Sequence, residues 1–186
     1  IIIVKLGGTM HYKIIVIGGG PGGYVAAIKA AQLGAKVALV EKHKIGGVCL
    51  NYGCIPTKTL LRSAKLYKEI LNASEFGIDI DATNMVKINW KNMMSRKKKV
   101  VDELVGGVEQ LLKHNGVTVY QSSGKVKDAH TVVIDQDIIT CDALILATGS
   151  SPKHPNIDGL KASFLSGHSI DSSGAIALAK VPESLT

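Results

Sequence analysis

The sequence predicts an α/β protein with a parallel sheet, and three observations carry this prediction. A β-branched apolar run at 12–17 is followed by a glycine-rich break, an alanine-rich helical segment at 24–33 and a second apolar run at 36–40. The chain has 186 residues, is 46% hydrophobic and contains 20 glycines, which suits one domain with a sizeable core. Its three cysteines are too few for a secreted fold held together by disulfides.

The first two apolar runs are expected to be neighbouring strands. Neither run alternates between apolar and polar residues, which is typical of strands that are buried on both faces of a sheet. Gly34 is the expected C-terminal cap of the helix between them. Because a crossover helix connects the two strands, they are expected to pair in parallel. The pattern therefore predicts a Rossmann-like domain with a parallel sheet and crossover helices.

Two helices and a small antiparallel β element are predicted further along the chain. The helices cover 54–73 and 90–114, and Asn115-Gly116 ends the second. Apolar segments predict four short strands and one more buried strand, at 117–121, 125–126, 131–134, 138–141 and 143–147. Asp135-Gln136-Asp137 is expected to join two of them as a hairpin. After Pro152 the sequence is typical of a loop.

The charge and hydropathy patterns exclude several classes of function. The net charge is +7, and the densest basic run, 96–99, lies in a predicted helix. We interpret this run as a solvated helix face, since the chain offers few aromatic side chains for base stacking. No apolar run approaches the ~20 residues that span a bilayer. Neither nucleic acid nor membrane is an expected partner, and the cytoplasm is the expected location.

A glycine motif, Gly18-x-Gly20-x-x-Gly23, lies between the first strand and the first helix. In this context Gly18 permits a tight turn, Gly20 lets the backbone approach a pyrophosphate, and Gly23 lets the helix pack close to the strand. The pyrophosphate is expected at the helix N-terminus. Glu41, at the end of the second strand, is placed to accept hydrogen bonds from a ribose diol. The motif predicts a bound adenine dinucleotide, without distinguishing FAD from NAD.

Cys49 and Cys54 form a second candidate site. In a regular helix their Cα atoms would be about 8.7 Å apart, beyond the ~4.4–6.8 Å that a disulfide tolerates. A disulfide therefore requires a distorted helix, and Gly53 is the residue that most readily permits one. The spacing does not fit a zinc site, and no metal is expected. Two unrelated buried thiols remain an alternative to a catalytic or redox-sensing couple.

The segment from Gly46 to Lys58, read as Gly-Gly-Val-Cys-Leu-Asn-x-Gly-Cys-Ile-Pro-Thr-Lys, closely resembles the flavoprotein disulfide reductases. The glycine-rich turn upstream and the segment 147–150 downstream fit the same family, so the resemblance covers about 12–186. The sequence Cys-Leu-Asn-x-Gly-Cys-Ile-Pro is most similar to the motif of the family members that oxidise dihydrolipoamide. In glutathione and mercuric reductases Val commonly follows the first cysteine.

The resemblance implies a set of FAD contacts and a catalytic group. Cys49 is the implied interchange thiol, Cys54 the thiol facing the flavin, and Lys58 lies near the reactive flavin nitrogen. Gly124 is implied to contact adenine through its backbone. The full set of implied FAD contacts is Gly18, Gly20, Pro21, Gly22, Gly23, Glu41, Lys42, Gly46, Gly47, Val48, Cys49, Lys58, Gly124, Ala147, Thr148 and Gly149. Electrons would pass from the dithiol through FAD to NAD⁺, because the cofactor carries the difficult chemistry.

The position of Met10 just before the first strand, together with the resemblance, predicts how the chain is organised and what it binds. Residues 1–10 are expected to be a leader or an upstream remnant, 11–159 the FAD-binding domain with the dithiol, and 160–186 a connector towards an NAD-binding domain. The NAD site itself is not expected in this chain. The implied partners are dihydrolipoamide, carried by the lipoyl domain of a 2-oxo-acid dehydrogenase complex, and a second copy in a homodimer of the longer protein.

Two alternative functions stay open, namely a glutathione- or mercuric-type disulfide reductase and a non-catalytic FAD-binding module. Cys141 matches no redox position of the family and is expected to be a small buried bystander. None of the six histidines is assigned a catalytic role.

Overall fold

A mixed six-stranded sheet forms the centre of the fold in the computed structural model, which describes residues 10–80 and 86–186. Its strands are β1 (Met10–Ile17), β2 (Val37–Val40), β3 (Thr118–Tyr120), β4 (Gly124–Asp128), β5 (Thr131–Ile134) and β6 (Asp137–Leu146). They lie in the order β3-β2-β1-β6-β5-β4. The pairs β3/β2, β2/β1 and β1/β6 are parallel, while β5 is antiparallel to both β4 and β6. The predicted α/β class, with a small antiparallel element, is confirmed.

The helices of the described residues are α1 (Pro21–Gln32), α2 (Gly47–Tyr52), α3 (Cys54–Leu71), α4 (Trp90–His114), α5 (Leu160–Ser166) and α6 (Ser172–Ala175), with a 3₁₀ turn at Ala73–Phe76. The predicted bounds of α4 are confirmed. Helix α1 begins three residues before the predicted start, because Pro21 occupies the first helical position, where its fixed φ suits the helix. The loop predicted after Pro152 is wrong over α5 and α6, whose seven and four residues are too few to show a helical period.

The chain forms two compact units. The first comprises residues 10–48 and Val105–Ser150 and contains the sheet and α1. The second comprises Cys49–Leu104 and Ser151–Thr186, as far as these residues are described. The expected domain limits, with a connector beginning at residue 160, stay a prediction.

The core of the first unit lies on both faces of β1 and β2. Alternate residues of β1 point to opposite faces, so that Ile15 and Ile17 belong to one cluster and Val16 to the other. On the side of Val16, Ala27 of α1 and Leu112 of α4 cover the sheet. The four residues of β2 are all buried. Burial on both faces explains why these strands are uniformly apolar in sequence.

Strand β6 differs from the sequence prediction in two ways. The segments predicted as separate strands, 138–141 and 143–147, form one continuous strand that ends at Leu146. The one polar residue between them, Asp142, does not break the strand because it has partners on β1: His11 bonds to it at 3.0 Å and Lys13 at 2.7 Å. The predicted burial of the second segment is also wrong, since Leu146 is 64% exposed.

The predicted hairpin between β5 and β6 is confirmed. Ile134 pairs with Asp137, which leaves a two-residue turn in which Asp135 has a φ of +52°. Aspartate is one of the few non-glycine residues that adopt this left-handed conformation at low cost.

Candidate functional site

The turn between β1 and α1 has backbone contacts that only glycine permits. Gly18 has a φ of +104°, and a Cβ there would lie 2.1 Å from the carbonyl oxygen of Ala147. A Cβ on Gly23 would lie 1.7 Å from the carbonyl oxygen of Gly18. Gly20 differs, because the nearest atom to its Cβ would be the Gly47 Cα at 3.8 Å. The space beside Gly20 is therefore open to a ligand, while Gly18 and Gly23 serve the packing of the turn itself.

The N-terminus of α1 has the properties of a phosphate site. Gly20 is its N-cap and Pro21 its first residue. In the part of the chain that the structure describes, no side chain caps this end and the first turn has no acidic residue. The positive end of the helix dipole is thus left to an anion. Together with the space at Gly20, this arrangement fits the pyrophosphate of a dinucleotide.

A second pair of glycines lies directly against this turn. The N–H of Gly46 donates a hydrogen bond to the carbonyl oxygen of Gly19 at 2.8 Å. Gly46 and Gly47 have φ values of +94° and +55°, and a Cβ on Gly47 would lie 2.7 Å from the Cα of Gly20. The fold therefore brings two of the predicted cofactor segments into contact, and a side chain at Gly47 would push them apart.

The Glu41 carboxylate lies beside the same turn. The residue follows β2 and is only 8% exposed. Its Oε2 accepts a hydrogen bond from the N–H of Gly19 and its Oε1 one from the N–H of His43, both at 2.6 Å. These bonds hold the carboxylate in place, and each of its oxygens retains a lone pair for a further donor such as a ribose hydroxyl.

Three more predicted positions lie at the same edge of the sheet as Glu41 and the glycine-rich turn. A Cβ on Gly124 would lie 3.1 Å from the side chain of Val40, at the end of β2, and 3.3 Å from that of Val132. Ala147 and Thr148 follow β6, and both have atoms within 3.1 Å of a Cβ built on Gly18. This edge holds the C-terminal ends of the parallel strands, where open α/β sheets bind ligands. Pro21, Gly22, Lys42, Val48 and Gly149 are exposed or half-buried.

The two cysteines lie in consecutive helices. Cys49 is in α2 and Cys54 is the first residue of α3. Gly53, between the helices, has φ −140° and ψ −105°, which confirms the predicted distortion at this residue. Both thiols are free, Cys49 partly buried and Cys54 exposed. The structure thus describes the dithiol form of the pair.

The two thiols are in contact. A side-chain hydrogen bond with Cys54 is the largest cause of a raised pKa at Cys49, and burial adds to it, while the positive charge of Lys58 acts in the opposite direction. A thiol whose pKa is shifted by one specific neighbour is often part of a functional site. The chain therefore presents Cys49, Cys54 and Lys58 as one cluster in the second unit.

The basic run 96–99 is only partly solvated. Lys98 and Lys99 form ion pairs one turn along α4 with Asp102 and Glu103, as expected for an exposed helix face. Arg96, however, donates to the carbonyl oxygen of Thr59 on α3, and Lys97 to that of Ile176 at 2.8 Å. Burial lowers the pKa of Lys97. Arg96 remains exposed, as predicted, but the prediction of a solvated face is wrong for Lys97, which is half-buried with its ammonium on a carbonyl oxygen.

Two further expectations concern groups outside these sites. Cys141 is confirmed as a buried residue of the core, 2% exposed. Within residues 10–80 and 86–186, His, Cys, Asp and Glu side chains form no group of three that could hold a metal ion. No helix in those two ranges is both long and apolar enough to cross a membrane.

A glycine-rich phosphate cradle on a Rossmann-like sheet, combined with a contacting pair of cysteines, is typical of nucleotide-dependent thiol–disulfide oxidoreductases. Residues 12–186 match the family described as pyridine nucleotide-disulphide oxidoreductase, and the chain belongs to this family. Similar curated proteins are each named dihydrolipoyl dehydrogenase. The protein from Acholeplasma laidlawii is 47% identical over 177 residues, and that from Geobacillus stearothermophilus 44% identical over 182.

These matches cover most of this chain but only part of the relatives. Both include 95% of the chain, but 52% of the Acholeplasma protein and 37% of the Geobacillus protein. The Mycoplasma pneumoniae protein of the same name is 40% identical, with 95% of the chain and 38% of that protein covered. The chain therefore spans about half, or less, of the length of these curated relatives.

Proposed function

We propose that this chain is the FAD-binding part of a disulfide oxidoreductase that oxidises dihydrolipoamide to lipoamide, with NAD⁺ as the final acceptor. The observation that carries the proposal is the contact between Cys49 and Cys54 across the helix break at Gly53. A nucleotide-binding module without turnover needs neither thiol. The names of the relatives support dihydrolipoamide over glutathione or mercuric ion as the substrate.

The proposed reaction begins with the oxidised pair. A thiolate of dihydrolipoamide attacks the Sγ of Cys49, the Cys49–Cys54 disulfide breaks, and Cys54 leaves as a thiolate. The second substrate thiol then attacks the mixed disulfide and releases Cys49 with lipoamide. The substrate loses two electrons and two protons, and the protein pair gains the two electrons. The glycine-rich turn and Glu41 would hold FAD, which would supply the redox chemistry that reoxidises the pair and reduces NAD⁺.

The residues of the chain have distinct proposed tasks in this scheme. Gly18, Gly20 and Gly23 shape the pyrophosphate cradle at the start of α1, and Glu41 accepts hydrogen bonds from the ribose. Gly46-Gly47 and Ala147–Gly149 line the cofactor, with Gly124 on the adenine side. Lys58 adds a positive charge beside the dithiol, which favours the thiolate form of Cys49.

The remaining proposals concern the longer protein. Residues 11–159 form the FAD-binding domain and 160–186 lead towards an NAD-binding domain. The expected partners are the lipoyl domain of a 2-oxo-acid dehydrogenase complex and a second subunit of a homodimer. A cytoplasmic location suits a working dithiol, since such couples in a reducing compartment are normally catalytic or redox-sensing.

A visible absorption spectrum tests the proposal. The purified chain is mixed with FAD, desalted, and measured anaerobically before and after addition of dihydrolipoamide. Retained flavin with a new long-wavelength charge-transfer band is expected, because that band requires a thiolate against the flavin. Cys54→Ser should abolish the band while flavin stays bound, and Cys141→Ser, in the core, is the matched control. Retained flavin without the band would favour a binding module, and flavin lost on the column would contradict FAD binding by this chain.

A further inference from the structure

Gln121, which no sequence motif marks, connects the end of β3 to the turn that follows β2. Its side-chain Nε2 donates a hydrogen bond to the carbonyl oxygen of Glu41 at 2.9 Å and another to that of His43. In the same place the N–H of Glu41 donates to the carbonyl oxygen of Tyr120 at 2.9 Å. A primary amide has two N–H donors, so one side chain holds both carbonyls of the turn 41–43.

This turn carries the Glu41 carboxylate. Oε1 of Glu41 accepts from the N–H of His43, within the turn, and Oε2 accepts from the N–H of Gly19, in the glycine-rich turn. A continuous series of hydrogen bonds therefore runs from Gln121 through the turn to the carboxylate and on to the phosphate cradle. The side chain of Gln121 thus holds the backbone of the turn from which the carboxylate projects.

The other end of the same connection is also held. Ser122, the next residue, donates its hydroxyl towards both carboxylate oxygens of Asp135, at 2.8 Å each, in the turn between β5 and β6. Gly124 begins β4 two residues later. The segment 121–123 is thus hydrogen-bonded to two neighbouring turns, one through Gln121 and one through Ser122.

We propose that Gln121 is a positioning residue for the adenine-nucleotide site, which it serves by fixing the Glu41 carboxylate against the ribose. The inference rests on the proposed function, since it assumes that an adenine nucleotide binds at this edge of the sheet. It adds a specificity determinant outside the glycine motif: loss of Gln121 should weaken recognition of the ribose hydroxyls and leave recognition of the phosphates nearly unchanged.

The test compares two nucleotides on the full chain by isothermal titration calorimetry. ADP carries both ribose hydroxyls and 2′,3′-dideoxy-ADP carries neither, while the phosphates are the same. Gln121→Leu should weaken ADP binding by about three- to tenfold, as expected for the loss of well-placed hydrogen bonds. It should change dideoxy-ADP binding by less than about twofold. Gln121→Lys, which restores N–H donors, should recover part of the ADP affinity.

A matched control is Gln136→Leu, the same substitution in the exposed turn between β5 and β6. It should leave the affinity for both nucleotides unchanged. An equal loss for ADP and dideoxy-ADP in Gln121→Leu, or no loss for either, would overturn the inference and leave the proposed nucleotide site standing. Failure of the unmodified chain to bind ADP would overturn the proposed site, and the inference with it.

Discussion

Replacing Gly23 by alanine is the most direct test of the phosphate cradle. Gly23 lies in the first turn of α1, and a Cβ there would lie 1.7 Å from the carbonyl oxygen of Gly18. Real Cβ atoms do not approach other heavy atoms closer than 3.0 Å, so α1 has to move away from β1 by on the order of an ångström. The movement disturbs the end of the helix at which the phosphate is proposed to bind.

The expected magnitude combines two opposing effects. Strain from a clash with rigid backbone costs typically 1–3 kcal/mol, and the shortness of this contact places Gly23→Ala at about 3 kcal/mol. Alanine is favoured over glycine inside a helix by about 1 kcal/mol, which offsets part of the strain. The free energy of unfolding should therefore fall by about 2 kcal/mol.

Urea unfolding followed by circular dichroism measures this change. Gly22→Ala is the matched control, because it lies in the same turn of α1 and its Cβ would meet only the Cβ of Ala147, at 3.9 Å. That variant should be neutral or more stable by up to about 1 kcal/mol. Equal effects of the two substitutions on the urea midpoint would refute the reasoning, since only one of the two glycines is barred from carrying a side chain.

Three further outcomes follow from charges and hydrogen bonds. Burial and the hydrogen bond with Tyr12 raise the pKa of Tyr120 to about 12. The free energy of unfolding should therefore decrease as the pH rises above about 10, the pKa of an unfolded tyrosine. In Tyr120→Phe, urea unfolding at a series of pH values should show a smaller decrease. The hydrogen bond from Lys13 lowers the pKa of Asp142, so the pair stabilises the fold above the unfolded-state pKa of about 3.9 and less as the pH falls below it. Lys13→Met should reduce this loss of stability at acid pH. An unchanged dependence of the free energy of unfolding on pH below about 4 would contradict the prediction. Removing the hydrogen bond in Cys54→Ala should lower the pKa of Cys49, seen as a lower midpoint in the pH profile of its alkylation.

The parts of the fold that the sequence predicts well are those with a strong local pattern. Apolar residues at helical spacing define α4, whose observed bounds are the predicted ones, and uniform apolar runs define β1 and β2. The division of β6 was wrong because Asp142, a polar residue between two apolar segments, looks like a break in sequence. Its partners His11 and Lys13 lie about 130 positions away and become neighbours only when β1 and β6 pair.

The same distinction holds for the candidate sites. Gly18 and Gly23 could be predicted because the geometry of a strand–turn–helix unit demands glycine at these positions in the chain. Gln121 could not, because nothing in its local sequence marks a glutamine that follows a strand. Its contacts with Glu41 and His43 span about 80 positions and exist only because β3 lies beside β2.

The break at Gly53 explains why the two cysteines, although close in sequence, occupy different environments. A continuous helix would keep the Cα atoms of Cys49 and Cys54 about 8.7 Å apart and on different faces. The break ends α2 and starts α3 at Cys54, so that Cys54 lies at a helix N-terminus while Cys49 remains inside the preceding helix. Cys49 is partly buried and its hydrogen bond with Cys54 raises its pKa, whereas Cys54 is exposed. One non-helical residue is thus enough to bring the thiols together and to make them chemically unequal, which a pair with separate proposed roles requires.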